Sequence, residues 1–161
     1  MADPVVLSGG SMTLAYGPAD GTGTPIKVGN RVSLEDSGRP RQEVDTTVMP
    51  DTAGAIIYKT KRVSDLVDSG TWSLKLYYNP ADTSHQFLLT NLVTPSATSA
   101  RKWTLTLADG TTWASIGYVT DFKPSGLDVQ DTSNIVADVT ITRSGAITIT
   151  PAGGGGGEGG S

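Results

Sequence analysis

The chain has 161 residues, 12 Lys+Arg against 16 Asp+Glu for a formal net charge of −4, no Cys and one His. The length suits one domain around a single core, and the acidic balance argues against a protein that holds nucleic acid by neutralising phosphates. The missing Cys removes disulfides, Cys-based zinc sites and Cys nucleophiles together.

The N-terminal run MADPVVLSGG has no basic region ahead of an apolar stretch, and nowhere do about 18 apolar residues run together. The expectation is a protein made and used in solution, with no membrane segment. Residues 42–49 alternate, with Glu43, Asp45 and Thr47 in one phase and Val44, Thr46 and Val48 in the other, as strand residues do. Between Met49 and Gly70 lies PDTAGAIIYKTKRVSDLVDSG, too long for a hairpin loop and too weakly periodic for confident strands. Loops beyond about 12–15 residues are uncommon in compact domains and tend to be functional. The segment reads as an arm reaching outward. Its Ile56, Ile57, Tyr58, Leu66 and Val67 would lie in water on a free loop, which points to a partner surface; the alternative is a β-hairpin folded back on its own domain.

Trp72, Leu74 and Leu76 alternate with Thr71, Ser73 and Lys75, and Trp103, Leu105 and Leu107 with Lys102, Thr104 and Thr106, which predicts two half-buried strands. Between them, Asn79-Pro80-Ala81-Asp82 reads as an N-cap, a proline at the first helical position and a first-turn carboxylate. A helix of about three turns is expected over 80–92, with the narrow stripe Leu88/Leu92 and Leu89/Val93 docking on a sheet. Asp109-Gly110 between the runs 101–108 and 111–120 predicts a two-residue type I′ turn. Ile135, Ala137, Val139 and Ile141 alternate with polar residues, and Ser144-Gly145 before Ile147 and Ile149 suggests a closing hairpin. The glycine-rich residues 151–161 have nothing to bury and should be flexible.

No chemistry assembles from these residues, so no catalytic residue, metal or cofactor is expected. His85 has no second His or Cys beside it and reads as an exposed or core-rim residue. Asp128, Asp131 and Asn134 depart from calcium-loop spacing, and Gly21-Thr22-Gly23 lacks the Lys-[Ser/Thr] of a phosphate loop. Trp72 and Trp103 sit in the apolar phase of their strands; Trp113 has no clear phase and is a candidate for facing a neighbouring subunit.

RQEVDTTVMPD, the arm, DLVDSGTWSLKLYYNPAD, KWTLTLADGTTWASIGYVTDFKPSG and ADVTITRSGAIT follow one another in an order that resembles the major tail tube proteins of long-tailed phages with non-contractile tails, over residues 26–150. The resemblance implies a mainly β fold, a β-sandwich or partly open barrel with one flanking helix, and six copies to a ring, with rings stacked into a tube. The implied partners are other copies, further tail proteins such as terminator, tape measure and distal tail proteins, and viral DNA passing without specific binding; the implied location is the virion tail, after assembly in host cytoplasm. By position, residues 1–25 become an N-terminal arm and second inter-ring contact, 26–150 the tube domain and 151–161 a tail. The arm then meets the adjacent ring through Ile56, Ile57, Tyr58, Lys59, Lys61, Arg62, Leu66 and Val67. Because Lys/Arg contacts would retain the polymer, the acidic phase Glu43, Asp45 and Thr47 is expected to face the lumen. The rival readings are another β-sandwich virion component, a tail terminator or head decoration protein, and a carbohydrate-binding module using its tryptophans as a platform.

Overall fold

The computed structural model describes residues 12–48, 54, 56–127 and 134–153. In chain order the elements are β1 (Thr13–Pro18), β2 (Ile26–Lys27), β3 (Arg31–Asp36), β4 (Arg41–Asp45), β5 (Lys61–Val67), β6 (Thr71–Tyr77), α1 (Thr83–Val93), α2 (Ser96–Ser99), β7 (Arg101–Thr106), β8 (Thr112–Ser125) and β9 (Val136–Thr150). Seven strands form one sheet in the order β2-β1-β7-β8-β9-β6-β3, and β4-β5 form a separate two-stranded ribbon. Every pairing is antiparallel. The fold class expected from the sequence is the one observed: mainly β, with one substantial helix at the flank.

The sheet curls into a partly open barrel because one segment lies along both of its ends. Ile26 and Lys27 pair with β1 and Val28 N donates to Leu14 O at 2.9 Å; a few residues on, Tyr77 N donates to Asn30 O at 2.8 Å and β3 runs beside β6. The crossing is tight. Asn30 takes φ 51°, a left-handed conformation that Asn tolerates better than most residues, and a Cβ on Gly29 would lie 2.5 Å from an oxygen of Asp82. Inside the curl, the inward phases of the strands meet: Leu14 and Tyr16, Trp72, Leu74 and Leu76, Trp103 and Leu105, Val119, and Ala137, Val139 and Ile141 are all buried.

α1 packs on β8 with a half-polar face. Its buried residues are Ser84, His85, Leu88 and Asn91, while Val93 of the expected stripe is exposed. Phe87 stacks on Tyr16 with ring centroids 3.8 Å apart. Asn91 donates to Ser99 O at 2.8 Å and accepts from Val119 N at 2.9 Å. Val119 adjoins the register shift at which β8 carries one residue more than β9, so Asn91 satisfies an amide that the bulge takes out of the ladder.

Four local expectations are corrected. The helix starts at Thr83 on the N-cap Asp82, whose carboxylate accepts from Ser84 N, while Asn79 closes a separate turn by accepting from Ala81 N. At Asp109-Gly110, Gly110 N donates to Leu107 O and Leu107 N to Thr111 O; only Gly110 of that pair has positive φ, which makes a three-residue loop of the bulged type in place of type I′. No closing hairpin forms: β9 runs unbroken from Val136 to Thr150 along β8, and Gly145, at φ 77°, belongs to a bulge. The N-terminal boundary set before residue 26 falls inside the fold, since β1 lies in the sheet with Leu14 fully buried; residues 1–11 of that arm lie outside the described residues, as do residues 154–161 of the tail.

Candidate assembly surface

β4 and β5 pair through Glu43↔Val63, Val44↔Arg62 and Asp45↔Lys61. Beyond the ladder Thr46 N donates to Thr60 O and Thr60 N to Thr47 Oγ1. The ribbon has no inner side: of its strand residues all but Ser64 are exposed, and it pairs with no strand of the barrel. The segment read as an arm, too weakly periodic for confident strands, thus supplies β5, hidden from a periodicity reading because neither of its faces is buried. The ribbon and its flanks concentrate exposed apolar side chains: Ile56 and Tyr58 are more than 80% exposed, Leu66 is 72% exposed, and Val44, Val48, Ile57, Val63 and Val67 join them. Val44, Val48 and Val63 were not singled out in the sequence, although Val44 and Val48 share a phase opposite the acidic one.

The remaining predicted residues sit on the same ribbon. Lys61 Nζ pairs with Glu43 Oε2 at 2.7 Å. Asp45 accepts from the Thr47 hydroxyl at 2.6 Å and its amide at 2.9 Å; these bonds hold the Asp45 carboxyl below the usual range, the hydroxyl contributing most. Lys59 and Arg62 are exposed. Glu43, Asp45 and Lys61 share a face through the register, two carboxylates against one ammonium.

Where the ribbon leaves the barrel, the structure holds a buried charge that the sequence reading missed. Arg143 is 4% exposed and donates to Asp36 through both terminal nitrogens, at 2.9 and 2.7 Å. Trp72 Nε1 donates to the same carboxylate at 3.0 Å, Gly38 N at 2.8 Å, and the guanidinium lies over the Trp72 ring, 5.1 Å from its centroid. Burial pushes the Asp36 carboxyl up, but the hydrogen bonds from Trp72, Gly38 and Arg143 outweigh it, and the net shift is downward. The outgoing and returning chains are tied by Asp68 N to Pro40 O and by Ser37 N to Thr71 O.

The residues weighed for chemistry stay apart or inside. His85 is fully buried, where the sequence placed it at the surface or the core rim: its Nδ1 accepts from Asn79 N at 3.0 Å and its Nε2 lies 3.0 Å from Gly29 O, so it pins the crossover of the barrel to the helix. Trp72 and Trp103 are fully buried, and Trp103 Nε1 donates to Gly117 O, which leaves them unable to serve as a sugar platform. Trp113 packs partly buried against the core with Arg39 over its ring. Asp128 and Asp131 lie outside the described residues. Among those described, no three His, Cys, Asp or Glu side chains gather as metal ligands, and no helix is long and apolar enough to cross a membrane.

No protein-family model matches the sequence, and no curated protein matches it. Solved structures do. The sheath/tube terminator structure of an extracellular contractile injection system contains a chain similar to this one with a TM-score of 0.66 at 12% identity, over 92% of this chain and 99% of that one. A chain in the tail of an empty gene transfer agent particle, refined helically with C6 symmetry, gives 0.63 at 12% identity, over 90% and 99%. The SPP1 tail tube gives 0.55 at 10% identity, over 91% and 80%. At such identities the likeness is one of fold: this chain has a fold that occurs in chains of tail and injection-system assemblies.

Proposed function

We propose that the chain is the tube subunit of a long, non-contractile phage tail, assembling into six-membered rings that stack into a conduit for DNA leaving the virion. The observation that carries this reading is the exposed apolar ribbon on a barrel of tail-tube-like fold. An isolated two-stranded ribbon is marginal in water, and one that exposes Val48, Ile56, Tyr58 and Leu66 gains burial only against another molecule. Ile56, Ile57, Tyr58, Lys59, Lys61, Arg62, Leu66 and Val67 make the contact with the adjacent ring, and further tail proteins cap and measure the tube. Ring contacts close by rotation, while ring-to-ring contacts repeat without closure and give a filament. Glu43, Asp45 and Thr47 face the lumen, where a hydrated, net acidic face does not retain DNA.

Electron microscopy of the purified protein tests the assembly. Long hollow tubes are expected. Single rings that never stack favour the second reading, a tube terminator, to which the likeness to the injection-system terminator lends weight. The lumen assignment is tested separately, with a gold cluster attached to Asp45→Cys: inward density supports it, and density on the outer surface refutes it.

A further inference from the structure

Where the ribbon joins the barrel, a charge stands in a place that alternation reserves for an apolar side chain. Arg143 continues the inward phase Ala137, Val139, Ile141 of β9. It grips both Asp36 oxygens, reaches Gly38 O at 3.4 Å, and leaves its Nε without a partner. Such a pair is a poor stabiliser, because taking two charges out of water offsets their attraction and an apolar pair of similar volume often does as well or better. What a guanidinium fork supplies is direction, since two parallel bonds fix a plane where a single contact fixes a point. The planes fixed here are those of the chain leaving β3 and of the chain returning to β6. On the return side Gly70 has φ 71°; a Cβ there would run into Gly38 O and stand 2.6 Å from Arg143 Nη2 and 2.8 Å from Ser37 Oγ. Both stems of the ribbon are packed on the guanidinium with no spare room.

We propose that Arg143 is a positioning residue for assembly: its two-point grip on Asp36 sets the angle at which the β4–β5 ribbon leaves the barrel, and with it the register in which the ribbon meets a second copy of the chain. The identity of that partner rests on the tail-tube reading above; the geometry of the grip does not. Backbone bonds join the two stems to each other, Asp68 N to Pro40 O and Ser37 N to Thr71 O, and the return stem to β9, Arg143 N to Gly70 O. The further side-chain contacts from the joint to the barrel are exposed and weak, with Arg39 4.0 Å from Asp36 and Ser69 Oγ donating to Gly145 O at the surface.

Asp36→Asn combined with Arg143→Met removes both charges, keeps the volume near and leaves one acceptor oxygen, which serves either Trp72 or Gly38, since the two donate to different oxygens of Asp36. Since the chain has no Cys, Arg62→Cys and Lys123→Cys give a spin-label pair from ribbon to barrel, measured on unassembled protein. The expected result is thermal unfolding within a few degrees of the parent, a label distance distribution that broadens or shifts, and at least a tenfold fall in tube yield. An unchanged distribution, or tubes at the parent yield, overturns the proposal. Should the double variant not fold, Arg143→Lys keeps the charge but not the fork, and the same two readouts apply. If the parent protein makes no tubes at all, the tail-tube reading fails, and the distance distribution alone decides the role of Arg143.

Discussion

Asp36 and Arg143 stand 107 positions apart in the sequence, and only one of them is legible there. Arg143 interrupts an apolar phase, a visible anomaly; Asp36 ends β3, whose residues alternate too weakly to reveal an inner face. Replacing Asp36 by Asn is expected to cost about 3–5 kcal/mol in a denaturant titration at neutral pH, because it leaves the buried guanidinium without its counter-charge. The pH dependence follows from the downward shift of the Asp36 carboxyl. Its contribution is fully present above the ordinary carboxylate value of about 4 and is lost as pH falls through the lower, folded value; the gap between the parent and Asp36→Asn should therefore close on acidification. Asn91 poses a neutral version of the same problem. Asn91→Ala strips the bond from Val119 N at the β8 bulge and should cost about 1–3 kcal/mol, with the Val119 amide losing protection against hydrogen exchange. His85 and Asn91 were illegible as core residues because composition counts them as polar, whereas their burial depends on partners brought up by the crossover and the bulge.

Among the elements, alternation reveals a strand only where one face is buried and the other is not. Trp72-Leu74-Leu76, Trp103-Leu105 and Ala137-Val139-Ile141 meet that condition and could be read directly. β5 is exposed on both faces and gives no alternation to read. The bulge at Gly145 looked like a turn because Ser-Gly serves both purposes, and the choice is made by β8, long enough to pair on both sides of it. The hydrogen bond from Asp68 N to Pro40 O means the ribbon can be removed cleanly. A version in which a short Gly/Ser turn replaces residues 41–67 should fold, melt within a few degrees of the parent by circular dichroism, and form no tubes in the electron microscope.

For the molecule as a whole, the seven-stranded sheet with its helix carries the core, while the ribbon and its flanks carry the larger share of the exposed large apolar side chains. If that surface drives tube growth as proposed, the critical concentration should rise when Ile56, Tyr58 and Leu66 are replaced together by Ser, with the thermal unfolding of the monomer unchanged, as sedimentation across a dilution series would register.

A ribbon that shares no core with the barrel has an evolutionary corollary. Its side chains can be rewritten to suit a new neighbour at little cost to the body that bears them, while the joint at Gly38, Gly70 and Arg143 must stay as it is. Lineages of such a subunit should therefore drift fastest along the projecting strands and stand nearly still at their root.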